Sequence, residues 1–169
     1  MTVDVDLEVE EGVVLALGED EVARVCGHVL AHEGVTRPCM VSVSAVGEAR
    51  MAALNAEWRG VEAPTDVISL ECERPDDPDL APGEPCELGD VVLAPGYVAR
   101  QATAFGTTPA DETRLLLVHG MLHLLGHDHL DEDEARAMED LEERVLEGLL
   151  TDGTLDHVVI TRHRTEDEA

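Results

Sequence analysis

Three histidines in the second half of the chain have the types and spacing of metal ligands. His119 and His123 are four residues apart, which places both imidazoles on the same face of an α-helix. Gly126 follows where a helix can end in a left-handed turn, and His129 comes just after that turn. Three neutral imidazoles that converge from a helix and its exit turn leave one position of a tetrahedral ion open. The spacing therefore predicts a catalytic metal site, because structural zinc sites usually fill all four positions with protein ligands.

Imidazole ligands select a metal only loosely, and a set of three suits Zn²⁺ best. We therefore predict one zinc ion per chain, held by His119, His123 and His129. Asp128 lies inside the predicted turn, where its carboxylate either hydrogen-bonds a ligand imidazole or caps the following helix. We expect the neighbouring His127 to be exposed rather than to serve as a further ligand.

The pattern H-x-x-x-H-x-x-G-x-x-H coincides with the long zinc motif of the metzincin proteases, H-E-x-x-H-x-x-G-x-x-H. In those proteases the glutamate after the first histidine is the general base of peptide hydrolysis. Here that position is Gly120, which has no side chain. Peptide hydrolysis by that route would lack its proton acceptor, so either the base comes from elsewhere or the reaction differs.

Polar residues beside predicted strands and helices are further candidates for a functional role. Arg59 offers a planar cationic fork that suits a phosphate, and a salt bridge at the end of a helix is the alternative interpretation. Asp90 lies in an otherwise apolar strand, where it either caps the backbone or hydrogen-bonds a ligand imidazole. Glu112 and Arg114 lie in the first turns of the helix that carries the histidines, and we interpret them as a helix-dipole complement and a salt-bridge partner.

Hydrophobic periodicity predicts the elements that would position these residues. Strands are predicted over residues 3–9, 40–46, 65–72 and 88–94, and helices over about 18–32, 48–59, 95–105, 108–126 and 131–150. The helix over 108–126 is apolar nearly all round, which predicts a central and buried position. The order β-α-β-α-β-β-α-α-α predicts an α+β fold: a mostly four-stranded mixed sheet with about five helices, of which the central one carries the histidine pair.

The length of 169 residues suits one domain with a substantial core. We predict a single metallohydrolase domain over residues 1–150 and a flexible tail over 151–169, in which residues 158–160 either add an edge strand or fray. The proline-rich segment 74–87 is predicted to be a long mobile loop. Aromatic residues are only 2% of the chain, so the core must be built from Val, Leu, Ala and Met.

The chain carries a net charge of −27, and its 11 basic residues are all arginines. Such a field repels nucleic acid at long range, although a metal ion and one or two arginines still allow a local positive site. The chain shows neither an apolar run of the ~18–20 residues that a membrane span needs nor a secretory signal. We therefore expect a cytoplasmic protein without a membrane partner, in which the widely spaced cysteines are free thiols; they are Cys26, Cys39, Cys72 and Cys86.

Several segments of the chain resemble the YbeY family and occur in the same order as in that family. Its members are bacterial endoribonucleases that act in ribosomal RNA maturation and ribosome quality control. They cover residues 54–59 with 64–69, 88–92 with 101–102, and 119–129. The last of them, His-Gly-x-Leu-His-Leu-x-Gly-x-Asp-His, carries glycine where the proteases carry glutamate. The chain departs from the family pattern at His127, where tyrosine is usual, and at Ala63, where a lysine is usual.

The resemblance implies a zinc ion held by His119, His123 and His129, and Arg59 as the residue most needed for RNA cleavage, through the phosphate. It also implies single-stranded RNA as the substrate, with the small ribosomal subunit or its assembly factors as partner and no role for DNA.

Two other functions stay open on the sequence alone. A zinc-dependent peptidase or small-molecule hydrolase would need a general base other than residue 120. A non-enzymatic ribosome-assembly factor would hold its zinc for structural reasons, and removal of the metal would then unfold it.

Overall fold

The computed structural model describes residues 3–127, 132–147 and 149. Its elements follow in the order β-α-β-α-β-β-α-α-α, which confirms the predicted α+β class. The strands are β1 (Val3–Val9), β2 (Cys39–Ala45), β3 (Val67–Glu71) and β4 (Cys86–Leu93). The helices are α1 (Glu19–His32), α2 (Glu48–Arg59), α3 (Pro95–Phe105), α4 (Pro109–Leu124) and α5 (Glu132–Glu147).

The strands form one mixed sheet in the order β1-β2-β4-β3. β1, β2 and β4 run parallel, and β3 pairs antiparallel with β4 at the edge. The register of β2 against β4 shifts between Met40 and Val41, opposite Gly89. Gly89 has a φ of 133°, and a Cβ there would lie 2.0 Å from the carbonyl oxygen of Leu70. This bulge therefore needs glycine, because any side chain would collide with the neighbouring strand.

Helices cover both faces of the sheet. The larger apolar core lies between one face and α1, α4 and α5. A smaller cluster lies on the other face, where Met51 of α2 packs with Ile68 and Val92. Helical spacing places Trp58 on the same side of α2 as Met51, but its side chain is 57% exposed. Trp58 lies about 10 Å further along the helix axis than Met51, and the small cluster does not extend to it.

The central position of α4 is confirmed, since every residue from Leu115 to Leu122 is buried. The hydroxyl of Thr108 caps its start by accepting a hydrogen bond from the backbone N–H of Asp111 at 3.1 Å. The helix ends in the predicted left-handed turn, because Gly126 has a φ of 102°. The N–H of His127 donates to the carbonyl of Leu122 at 3.0 Å, as in a Schellman motif.

Ion pairs and loop contacts fix the surroundings of α4. Arg114 contacts Glu21 of α1 at 2.8 Å, which confirms its predicted role as a salt-bridge partner. The hydrogen bond from Arg24, with the contribution of Arg114, lowers the pKa of Glu21 to about 2. Arg37, just before β2, donates hydrogen bonds to the backbone carbonyls of Pro75, Ala81 and Glu84. These three residues belong to the loop that the sequence predicts to be mobile, so Arg37 attaches this loop to the segment before β2.

The four cysteines are free thiols, as predicted. Burial raises the pKa of Cys26 and of Cys86 to about 12, so both stay protonated and unreactive at neutral pH. The helices of the described ranges include none that is long and apolar enough to cross a membrane. The predicted tail 151–169, with the alternative strand over 158–160, lies outside the described residues.

Candidate functional site

The imidazoles of His119 and His123 converge on one side of α4. Their Nε2 atoms are 3.1 Å apart, and the ring centroids lie 4.5 Å apart at an interplanar angle of 72°. Two nitrogen ligands of a tetrahedral zinc ion, each at about 2.0–2.1 Å, lie roughly 3.4 Å from one another by simple geometry. The same spacing also permits an N–H···N hydrogen bond when no metal is bound. The positions of the two rings are therefore compatible with a shared metal ion, which stays a prediction.

A buried carboxylate stands behind the first histidine. Oε1 of Glu142, on α5, lies 2.5 Å from Nδ1 of His119, and the glutamate is fully buried. When Nδ1–H donates to this carboxylate, Nε2 of His119 keeps its lone pair, which is the tautomer that a metal requires. Sequence reasoning missed Glu142. The available signal was an acidic residue four positions after the buried Met138, within the apolar stripe of α5.

The face of α4 that carries Gly120 packs directly on the sheet. A Cβ at this position would lie 3.0 Å from Cγ1 of Val91 and 3.2 Å from Oγ of Ser69. The Ser69 hydroxyl also donates to the carbonyl of Gly120 at 3.4 Å. A glutamate at residue 120 would therefore be driven into the sheet, so this position cannot supply the general base of a metzincin protease.

The third predicted ligand, His129, and its neighbour Asp128 lie outside the described residues. Within residues 3–127, 132–147 and 149, no group of three or more His, Cys, Asp or Glu side chains is arranged to hold a metal ion. The tripodal set thus stays a prediction, of which the structure places two members together. Nε2 of His127 forms a hydrogen bond with Oε1 of Glu33, which lies 2.5 Å away at the end of α1.

Arg59 lies exposed in the last turn of α2 and lines a cleft of about 510 Å³. The walls of this cleft come from α2, from the segment before β3 and from α3. At its side, Nδ2 of the buried Asn55 donates to the carbonyl of Ala63 at 2.7 Å. His119 and His123 do not line this particular cleft.

Asp90 lies on the face of the sheet that α4 does not cover. Its neighbour Val91 faces Gly120, and successive side chains of a strand point to opposite faces. Asp90 is exposed and borders a groove together with Arg50 and Leu54 of α2. The structure therefore does not bring Asp90 to the two histidines.

The chain is similar to known proteins over most of its length. The family model described as Endoribonuclease YbeY matches residues 9–150. The endoribonuclease YbeY of Micrococcus luteus is 42% identical over 137 residues, which cover 78% of this chain and 84% of the relative. That of Mycobacterium tuberculosis is 36% identical over 168 residues, which cover 96% and 91%.

A solved structure extends the comparison to the fold. The solution structure of a Thermotoga maritima protein superposes with a TM-score of 0.58 at 22% identity, and the match covers 86% of this chain and 88% of that one. At this identity the likeness concerns the fold alone. The family match and the two relatives show that the chain belongs to the family of YbeY endoribonucleases.

Proposed function

We propose that this protein is a zinc-dependent endoribonuclease that cleaves single-stranded RNA during ribosomal RNA processing. The observation that carries the proposal is the pair of imidazoles on α4, whose Nε2 atoms lie 3.1 Å apart in front of the buried Glu142. The relatives are named endoribonucleases, which supports RNA as the substrate.

The proposed metal site consists of His119, His123 and His129. When bound there, zinc supplies Lewis acidity toward water or toward a phosphoryl oxygen. Glu142 accepts the Nδ1–H of His119 and so keeps Nε2 of that ring directed at the metal position.

Arg59 is the proposed contact to the phosphate. Its guanidinium donates in a fixed fork, which matches the geometry of phosphate oxygens and neutralises the charge that develops on them during displacement. This role requires a local positive site on a chain of net charge −27, and Arg100 lines the same cleft as Arg59.

The biological setting follows from the substrate. We place the protein in the cytoplasm with the small ribosomal subunit or its assembly factors as partner, where it acts in maturation of the small-subunit RNA and in ribosome quality control. A peptidase is disfavoured by the close packing of Gly120 on Val91 and Ser69. If the zinc is structural instead, removing it with a chelator will unfold the chain.

The test measures the zinc content and the cleavage of a single-stranded RNA for the wild type and three variants. We expect His123→Ala to lose both zinc and cleavage. Arg59→Ala should keep its zinc but cleave about 10²–10³-fold more slowly, the usual loss when one donor to developing charge is removed. Arg50→Ala, an exposed arginine of the same helix, is the matched control and should behave as the wild type. Full cleavage by zinc-loaded Arg59→Ala would refute its role, and cleavage by zinc-free wild type would refute the proposal.

A further inference from the structure

Two of the three aromatic residues other than histidine line the Arg59 cleft. The chain contains one Trp, one Tyr and one Phe. Tyr97 and Phe105 both line the cleft. Trp58 immediately precedes Arg59 and is 57% exposed. The ring of Tyr97 also packs against the smaller apolar cluster, but it is only half-buried, so part of its surface faces the cleft.

The two rings of the cleft belong to one stripe of α3. Tyr97, Gln101 and Phe105 are spaced four residues apart and all line the cleft, so they lie on the same side of the helix. Eight residues of helix span about 12 Å, so the two rings are far enough apart to contact different bases of one strand. Both rings are only half-buried, and Gln101 places an amide between them.

The lining of the cleft also includes two arginines. Arg59 and Arg100 both line it, on a chain with only 11 basic residues. The guanidinium of Arg100 lies 5.7 Å from the centre of the Tyr97 ring and pairs with Glu48. The acidic residue of the lining, Asp66, is buried and accepts a hydrogen bond from the backbone N–H of Val67 at 2.7 Å. Its charge is therefore partly offset by the backbone.

We infer that this cleft binds unpaired nucleobases of the RNA strand: Tyr97 and Phe105 stack on bases, Gln101 hydrogen-bonds a base edge, and Arg59 and Arg100 contact the flanking phosphates. Aromatic rings with interspersed arginines are the usual means of binding single-stranded nucleic acid, since every base offers a π-face. Bases in a duplex are already stacked and cannot enter. The inference rests on the proposed function and names the part of the substrate that the cleft takes.

Stacking also suits the charge of the molecule. Attraction between a ring and a base does not depend on net charge, so it survives where a field of −27 weakens contacts to phosphates. A cleft that binds through rings therefore needs few arginines.

The cleft and α4 both adjoin β3. Asp66 lines the cleft just before β3 begins, and Ser69 of that strand contacts Gly120, the neighbour of His119. Three residues of extended chain span about 10 Å. Asp66 in the cleft wall therefore lies about 10 Å along the chain from the contact between β3 and α4.

The test measures binding of the zinc-loaded protein to a fluorescent single-stranded 2′-O-methyl oligonucleotide by anisotropy. Tyr97→Leu and Phe105→Leu keep an apolar side chain but remove the ring, and each should weaken binding about 10-fold without changing the zinc content. Arg100→Gln should weaken binding too, whereas Arg136→Gln, an exposed arginine of α5, is the charge-matched control and should not. The same oligonucleotide annealed to its complement should bind equally weakly to the wild type and to both ring variants.

Wild-type affinity in both leucine variants would overturn the inference, and so would failure of the wild type to bind the single strand. A leucine variant that does not fold is replaced by photocrosslinking of the wild type to RNA that carries 4-thiouridine. Crosslinks at Tyr97, Gln101 or Phe105 support the cleft, and crosslinks confined to other segments contradict it. If the wild type binds RNA through these residues but does not cleave it, the proposed function fails while the inference stands.

Discussion

Each ring nitrogen of His119 contacts another side chain, and these contacts determine which nitrogen is available to a metal. Its Nε2 faces His123 at 3.1 Å, and its Nδ1 faces the fully buried Glu142 at 2.5 Å. A carboxylate in contact with one ring nitrogen fixes which nitrogen carries the proton and which remains a ligand. We therefore regard Glu142 as a positioning residue that acts through His119 rather than on the substrate.

Replacing Glu142 by glutamine tests this role. The amide is neutral and can donate as well as accept, so the tautomer of His119 is no longer enforced. We expect the affinity for zinc to fall about 10- to 100-fold, the usual effect of losing such a partner, when it is measured by competition with a chelator. Glu143→Gln changes the adjacent, exposed carboxylate of the same helix and should leave the affinity unchanged. Equal zinc affinities in the two variants would contradict the assignment.

Three features fix the position of α4, the helix that carries the histidine pair. Thr108 caps its start, Gly126 turns the chain at its end, and Gly120 lets its middle lie directly on Val91. The first two features act within a few residues of sequence, and the pattern of residue types predicts them. The third depends on contacts with β3 and β4, which only the folded chain brings together.

Gly120→Glu tests the close contact between helix and sheet. A side chain there meets Val91 and Ser69 at once and buries a carboxylate in an apolar layer. We expect the free energy of unfolding in urea to fall by more than about 3 kcal/mol, from overpacking and burial of the charge. Ala137→Glu places the same side chain on an exposed position of α5 and should change the stability little. Similar unfolding midpoints for the two variants would show that the sheet does not constrain residue 120.

The sequence predicts the elements well where one face of each is apolar, as for α1, β2 and α4. It does not predict the exposure of Trp58, because periodicity assigns a side of α2 but does not show how far the packed cluster extends along it. It fails for Glu142 in a similar way. A buried glutamate contradicts the hydrophobic pattern, and only its contact with His119, which is distant in the chain, explains it.

The whole molecule combines a strongly negative surface with a substrate that is itself negative. The net charge is −27, and arginine supplies every basic residue. Several arginines are engaged in structural contacts, such as Arg37 with the loop after β3 and Arg114 with Glu21. RNA must therefore bind through few phosphate contacts and through contacts that do not depend on charge.

This charge distribution predicts a shallow salt dependence of RNA binding. Two phosphate contacts, from Arg59 and Arg100, correspond to a slope of about −1.4 in a plot of log affinity against log salt concentration. The affinity for a single strand should then fall less than about sevenfold between roughly 50 and 200 mM salt. Screening of the long-range repulsion reduces the loss further. A slope of about −5 would instead require a wide basic surface, which would contradict the account.

Titration of the metal-free protein with zinc, followed by cleavage of a single-stranded RNA, tests the central claim most directly. His119, His123 and His129 are proposed to hold one catalytic zinc ion per chain. We predict that the folded metal-free protein does not cleave RNA, that activity rises linearly with added zinc, and that it reaches a plateau at one equivalent. His123→Ala should gain no activity at the same zinc concentrations. RNA cleavage by the metal-free protein, or equal activity in His123→Ala, would contradict the account.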